Sequence, residues 1–146
     1  MIVYADSSAI AKLLIDEDGS DAMANLSGQA DGVVTAAISR VETFAALKAA
    51  HRDGRLDDQS FEEAKAEAAN LFASIGLVAI DGALLDRACA LVDQHTLRGY
   101  DAVQLSALLT YGHEGLTFAC FDGQLKAAAL AEGYVVFPEE PVGAGQ

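Results

Sequence analysis

Five short apolar runs punctuate the chain, at 2–5, 33–36, 77–80, 116–121 and 134–137, and each is nearly continuous rather than alternating. Runs of this length rich in Val, Ile and Phe read as strands covered on both faces, the condition of a parallel sheet. Helical periodicity fills the intervals at 8–15, 21–27, 39–52, 57–74, 84–95, 101–111 and 123–132. Strand alternating with helix predicts an α/β fold with right-handed crossovers: a single domain with a central five-stranded parallel sheet flanked by helices. The alternation breaks once, where 39–52 and 57–74 follow each other as a helical hairpin.

The periodicity also assigns inward faces. Val41, Phe44, Ala45 and Leu47 are expected to face the core, as are Phe61, Ala64, Ala68, Leu71 and Ile75, and then Leu84, Ala88, Leu91 and Val92. The segment 101–111 is apolar nearly all round and is expected to be buried. Gly54, Gly76, Gly99, Gly112 and Gly133 stand at breaks, where a helix end favours positive φ. A chain of 146 residues that is 52% hydrophobic can bury a core without disulfides or structural metal. The domain is expected over 1–137, with 138–146 a flexible tail.

Cys89 and Cys120 lie far apart in apolar contexts and are expected to be buried thiols. They form no spacing that holds zinc, and His51, His95 and His113 have no partners at ligand spacing. No apolar run approaches the ~20 residues of a membrane span, and Met1 leads into a strand without a charged segment and apolar stretch behind it. The expected location is the cytoplasm, with no membrane partner.

Four acidic residues stand at ends and beginnings of elements: Asp6 after the first strand, Asp122 after the fourth, Glu42 and Asp101 in first turns of helices. Each has a structural explanation. Asp6 and Asp122 suit N-caps, Ser39-x-x-Glu42 has the form of a capping box, and Asp101 complements a helix dipole. Together they have another. In parallel α/β sheets the ligand crevice lies beyond the carboxyl ends of the strands, and all four can reach that edge. An all-oxygen cluster suits Mg²⁺ or Mn²⁺, and such ions serve phosphodiester hydrolysis. Asp81 occupies a similar position but is followed by Gly82-Ala83 and is assigned to capping.

The runs Ile2-Val3-Tyr4-Ala5-Asp6-Ser7-Ser8-Ala9, Ser39-Arg40-Val41-Glu42, Leu97-Arg98-Gly99-Tyr100-Asp101-Ala102-Val103-Gln104-Leu105 and Phe121-Asp122-Gly123-Gln124-Leu125, in this order and spacing, resemble the PIN-domain ribonucleases. The likeness is to the toxin half of VapBC-type toxin–antitoxin pairs. It implies that Asp6, Glu42, Asp101 and Asp122 bind Mg²⁺ or Mn²⁺ and support cleavage of RNA. It also implies a cognate antitoxin and a homodimer. Relatives often carry Ser or Thr two residues before the last Asp, where this chain has Cys120. Ser7, Arg40 and Arg98 are candidate substrate contacts, and so is Lys12, for which local ion pairing is the favoured reading. Lys48, Arg52 and Arg55 form a basic stretch that is equally a solvated face.

The net charge of −13 opposes a nucleic-acid reading unless cations or a basic partner offset it. Two alternatives stay open. One is a phosphoryl-transfer or receiver-like domain, with Asp81 ending the middle strand. Against it, Phe137 leads into Pro138 with no Lys, and Ser7-Ser8 follows Asp6. The other is a binding module that keeps the fold without the activity.

Overall fold

The computed structural model describes residues 1–139. The element order is β1 (Ile2–Ala5), α1 (Ser7–Lys12), α2 (Ser20–Gln29), β2 (Gly32–Ala36), α3 (Ser39–Arg52), α4 (Asp58–Ser74), β3 (Gly76–Val78), α5 (Gly82–His95), α6 (Gly99–Tyr111), β4 (Leu116–Ala119), α7 (Gly123–Ala131) and β5 (Val135–Phe137). The strands form one sheet in the order β3-β2-β1-β4-β5, and every neighbouring pair is parallel. The five-stranded parallel sheet and the hairpin of α3 and α4 are as the sequence predicts. Of the expected tail, Pro138 and Glu139 follow β5, and residues 140–146 lie outside the described residues.

The strands are continuous in apolar character because alternate residues enter two different cores. Tyr4, Ala36, Phe118 and Val136 pack on one face with Leu84, Leu91, Leu105, Leu108 and Leu125 of α5, α6 and α7. Val3, Ala5 and Ala119 pack on the other with Ala9, Ile10 and Met23 of α1 and α2 and Phe72 of α4. The hairpin closes a third cluster, with Leu47 and Ala50 of α3 against Ala64 and Ala68 of α4.

Several local expectations are corrected. In α3 the buried face is Ser39, Thr43, Leu47 and Ala50, whereas Val41 and Ala45 are exposed. Apolar type alone points Val41 and Ala45 inward, but α3 turns a polar edge toward α6 instead. Val92 is likewise exposed on α5, and Cys89 is exposed rather than buried. Positive φ occurs at Gly54, Gly112 and Gly133 but not at Gly76 or Gly99. Those two glycines open β3 and α6 rather than close a helix.

Gly19 does need its freedom. Its φ is +92°, and a Cβ there would stand 2.7 Å from Phe121 Cε1. Phe121 lies between Cys120 and Asp122 in sequence, so its packing bears on the end of β4. Gly19→Ala is expected to destabilise the fold by about 1–2 kcal/mol from the left-handed backbone alone, and more from the clash. Gly28, inside α2 with nothing within 4 Å of a Cβ, provides the contrast. Gly28→Ala is expected to stabilise by roughly 0.5–1 kcal/mol. Denaturant titration of the two variants checks both signs.

Candidate active site

β1 is the central strand, and its chain direction delivers Asp6 to the carboxyl edge of the sheet. The Asp6 N–H donates to Ala119 O at 3.1 Å, extending the β1–β4 ladder by one residue. Its side chain then caps α1, with Oδ1 accepting from Ala9 N–H at 3.0 Å and from the Ser8 hydroxyl at 2.6 Å. Ser8 Oγ in turn accepts from Phe121 N–H at 2.9 Å, which ties the ends of β1 and β4 together. Asp6 Oδ2 accepts from the Cys120 thiol at 3.1 Å. Cys120 therefore supplies a hydrogen bond to Asp6 in place of a hydroxyl.

Asp122 caps α7, accepting from Leu125 N–H at 3.0 Å. Asp101 sits in the first turn of α6 and is 4% exposed. Glu42 sits in the first turn of α3, but the expected capping box does not form. The N-cap is Ile38, and Ser39 Oγ accepts from the Thr35 hydroxyl at 2.7 Å and from Gln104 Nε2 at 2.8 Å. Glu42 Oε1 accepts from the same Gln104 Nε2 at 3.0 Å. Tertiary partners have taken both groups that a capping box would have used.

Asp6, Glu42, Asp101 and Asp122 line one cavity of about 480 Å³, together with Ser7 and Ser8. Ile38, Val41, Ala45, Ala46 and Tyr100 supply apolar wall, which explains why α3 leaves Val41 and Ala45 uncovered by its own core. Asp81 is not among the lining residues; it accepts from Leu84 N–H at 2.9 Å as the N-cap of α5.

Three of the acids are held above their ordinary pKa, chiefly by burial. Burial raises the Asp6 pKa from 3.8 to about 6; hydrogen bonds from Ser8, Ala9 and Cys120 lower it, and the Glu42 charge adds to the rise. Burial raises Glu42, opposed by hydrogen bonding from Gln104 and Ser7, with the Asp101 charge adding to the rise. Burial raises Asp101 as well, and Asp122 adds to the rise while Arg98 counters it. Arg98 reaches Asp101 Oδ2 from Nε at 3.4 Å and Asp122 Oδ2 from Nη2 at 3.5 Å. These contacts are long and the Arg98 side chain is 62% exposed, so the bridge is weak.

Among the described residues, no three His, Cys, Asp or Glu side chains are close enough as they stand to hold a metal ion. The four carboxylates face one space but are engaged separately, by Gln104, by Arg98 and by the capped helix ends. Their chemistry nevertheless fits a hard divalent cation: four anionic oxygen donors with no nitrogen ligand among them. Arg98 touches only the Oδ2 atoms of Asp101 and Asp122.

The remaining sequence candidates divide. Ser7 lines the cavity, and Arg98 contacts two of its acids, Asp101 and Asp122. Arg40 instead borders a neighbouring hollow with Ala37, Val41 and Phe44. Lys12 pairs with Glu17 at 3.0 Å and lies over the Phe121 ring, which is local ion pairing. In the basic stretch, Arg52 and Arg55 pair with Asp53, and Lys48 sits over the Phe61 ring. Ser8 and Gln104 contact the acids but were assigned no role from sequence. Gln104 had one available signal: it is the one amide on a largely apolar helix, one turn after Asp101.

The raised pKa of Asp6 makes a signed prediction for the metal-free protein. Between about pH 4 and 6 the folded state holds a proton that the unfolded state has lost, so Asp6 causes stability to fall as pH rises through that window. The shift corresponds to roughly 3 kcal/mol once Asp6 is ionised on both sides of the transition. Wild type in EDTA is expected to melt higher near pH 4.5 than near pH 7 by this contribution, to the order of magnitude. Asp6→Asn is expected to remove that slope and to melt higher than wild type at pH 7. A melting curve series across pH checks it; a mutant that melts lower at pH 7 would make Asp6 mainly a structural acceptor.

A sequence model described as the PIN domain matches residues 3–130 of the chain. The chain is 33% identical over 139 residues to the ribonuclease VapC45 of Mycobacterium tuberculosis strain CDC 1551, covering 95% of this chain and 96% of that protein. The same figures hold for the ribonuclease VapC49 of Mycobacterium tuberculosis strain H37Rv. Among solved structures, VapC20 of Mycobacterium tuberculosis, described as a sarcin–ricin loop cleaving toxin, superposes with a TM-score of 0.68 at 19% identity, over 91% of this chain and 96% of that one. A toxin–antitoxin complex from Klebsiella pneumoniae gives 0.67 at 15% identity, over 95% and 99%. These structures share the fold, and the family match also removes the receiver-like alternative. The chain belongs to the PIN-domain family.

Proposed function

We propose that this chain is a metal-dependent endoribonuclease that hydrolyses RNA phosphodiester bonds and acts as the toxin of a toxin–antitoxin pair. Asp6, Glu42, Asp101 and Asp122 hold Mg²⁺ or Mn²⁺ in this reading. The observation that carries it is the convergence of four carboxylates, from four separate segments, on one cavity beyond the carboxyl ends of the central strands. The relatives named ribonucleases, at 33% identity over nearly the whole chain, support the reaction class.

The cation, when bound, supplies charge neutralisation at the phosphate and acidifies a water for attack. The chain's own residues do the rest. Asp6 is held by Ala9, Ser8 and Cys120, so it presents its carboxylate without rotational freedom. Glu42 is held by Gln104. Arg98, released from Asp101 and Asp122, is placed to meet a substrate phosphate, and Ser7 lines the same space. Arg40 extends the contact surface next to the cavity.

The apolar walls of the cavity suit a protein partner. An antitoxin would lay apolar side chains on Ile38, Val41 and Ala45 and place a cationic side chain among the acids. The toxin–antitoxin complex among the structural neighbours supports a partner of this kind. A homodimer and a cytoplasmic location belong to the same proposal. Among the described residues, no helix is long and apolar enough to cross a membrane.

Purified protein is expected to cleave single-stranded RNA in Mn²⁺ or Mg²⁺, to stop in EDTA and to resume when metal is restored. Asp101→Asn is expected to lose on the order of 100-fold in rate or more, as when one preorganised electrostatic contact is removed from an active site. Arg98→Ala is expected to weaken RNA binding while keeping the metal response. Cleavage that continues undiminished in chelator would overturn the metal mechanism. Harmless expression without recovery of a small cognate partner would overturn the toxin assignment.

A further inference from the structure

A buried polar chain runs beneath the cavity. Thr35, at the end of β2, donates its hydroxyl to Ser39 Oγ at 2.7 Å. Gln104 Nε2, from α6, donates to the same oxygen at 2.8 Å and to Glu42 Oε1 at 3.0 Å. Thr35 and Ser39 are fully buried and Gln104 is 1% exposed. The other end of the amide, Gln104 Oε1, has no hydrogen-bond partner among the described residues.

That arrangement is a poor choice for stability alone. A buried amide with an unpaired oxygen loses hydration without full compensation, a cost of about 1–3 kcal/mol. Leu105 and Leu108, the buried neighbours on α6, show what the position would hold if packing were its purpose. The amide also has one tolerable orientation. Reversed, its carbonyl oxygen would face the Glu42 carboxylate, and two acceptors would meet. Glu42 is a long side chain in the first turn of α3, and Gln104 holds it alongside hydrogen bonding from Ser7. Ser39, which takes hydrogen bonds from both Thr35 and Gln104, ties the donor to the backbone of β2 and α3.

We infer that Gln104 is a positioning residue: the Thr35–Ser39–Gln104 chain holds the Glu42 carboxylate at the cavity so that it can join the other three acids on a cation. The inference rests on the metal-binding reading of the site. Partners that orient metal-ligating carboxylates act through the ligand, and their loss weakens metal binding without removing a donor. A purely structural amide would instead affect the metal-free protein.

The test is calorimetric titration of Mn²⁺ into the full chain, alongside thermal melting in EDTA. Gln104→Leu keeps the shape and apolar surroundings of α6. It is expected to weaken Mn²⁺ binding about tenfold or more, with no drop in the melting temperature in EDTA. In a Glu42→Gln background the same substitution is expected to change Mn²⁺ affinity by less than about twofold, because the group it positions is no longer a carboxylate. Thr35→Val is expected to weaken binding in the same direction and by less. A Gln104→Leu protein that melts lower in EDTA and binds Mn²⁺ like wild type would overturn the inference, as would an equal loss in both backgrounds. Should Gln104→Leu not fold, Thr35→Val decides: weakened Mn²⁺ binding supports the relay, and unchanged binding overturns it. Wild type that takes up no Mn²⁺ would overturn the metal reading itself, and this inference with it.

Discussion

The structure is organised around a carboxylate that cannot leave its place. Asp6 follows directly on a central strand whose side chains are buried on both faces, and its own backbone remains in the ladder to β4. Its side chain is 3% exposed, and three donors occupy its two oxygens. An ionised acid in that position costs folding free energy, as its raised pKa records. The neighbouring elements are arranged with respect to that cost. Ser8 and Cys120 supply hydrogen bonds from α1 and the end of β4, and Arg98 lends positive charge to Asp101 and Asp122 from the start of α6.

The other acids arrive by different routes, and the routes explain their unequal restraint. Asp122 is held by helix capping, which is local and follows from the chain turning out of β4. Asp101 relies on burial in the first turn of α6. Glu42 is held by an amide 62 residues away in sequence, together with Ser7. The site is thus assembled by tertiary contacts on one side and by local caps on the other. This also bears on the net charge of −13. The cavity concentrates acids where burial and mutual repulsion raise three of their pKa values. A divalent cation bound there, as proposed, would relieve that repulsion and change the local potential far more than the overall charge indicates.

Much of this was legible in the sequence because it depends on local rules. Continuous apolar runs named the strands, and acids at the junctions named the cavity. What escaped depends on contacts between distant segments. Ser39-x-x-Glu42 has the spacing of a capping box, but Thr35 and Gln104 claim its groups, and nothing in the local sequence reports them. Val41 and Ala45 look like core residues by type; they are cavity wall, because Ser39 and Thr43 turn inward instead. Cys120 looked like a lost hydroxyl, yet its thiol reaches Asp6. Cys89 sits among Ala and Leu and is nevertheless exposed, since α5 buries only the face carrying Leu84, Ala88 and Leu91.

The central claim is that four carboxylates, apart in sequence and separately engaged in the metal-free fold, act together in holding divalent metal. Anomalous diffraction from crystals soaked in Mn²⁺ addresses it directly. The account predicts a peak in the cavity, ligated by oxygens of Asp6, Glu42, Asp101 and Asp122 directly or through water, with Arg98 withdrawn from Asp101 and Asp122. A cavity without a peak at saturating Mn²⁺, with Arg98 still bridging the two aspartates, would contradict it.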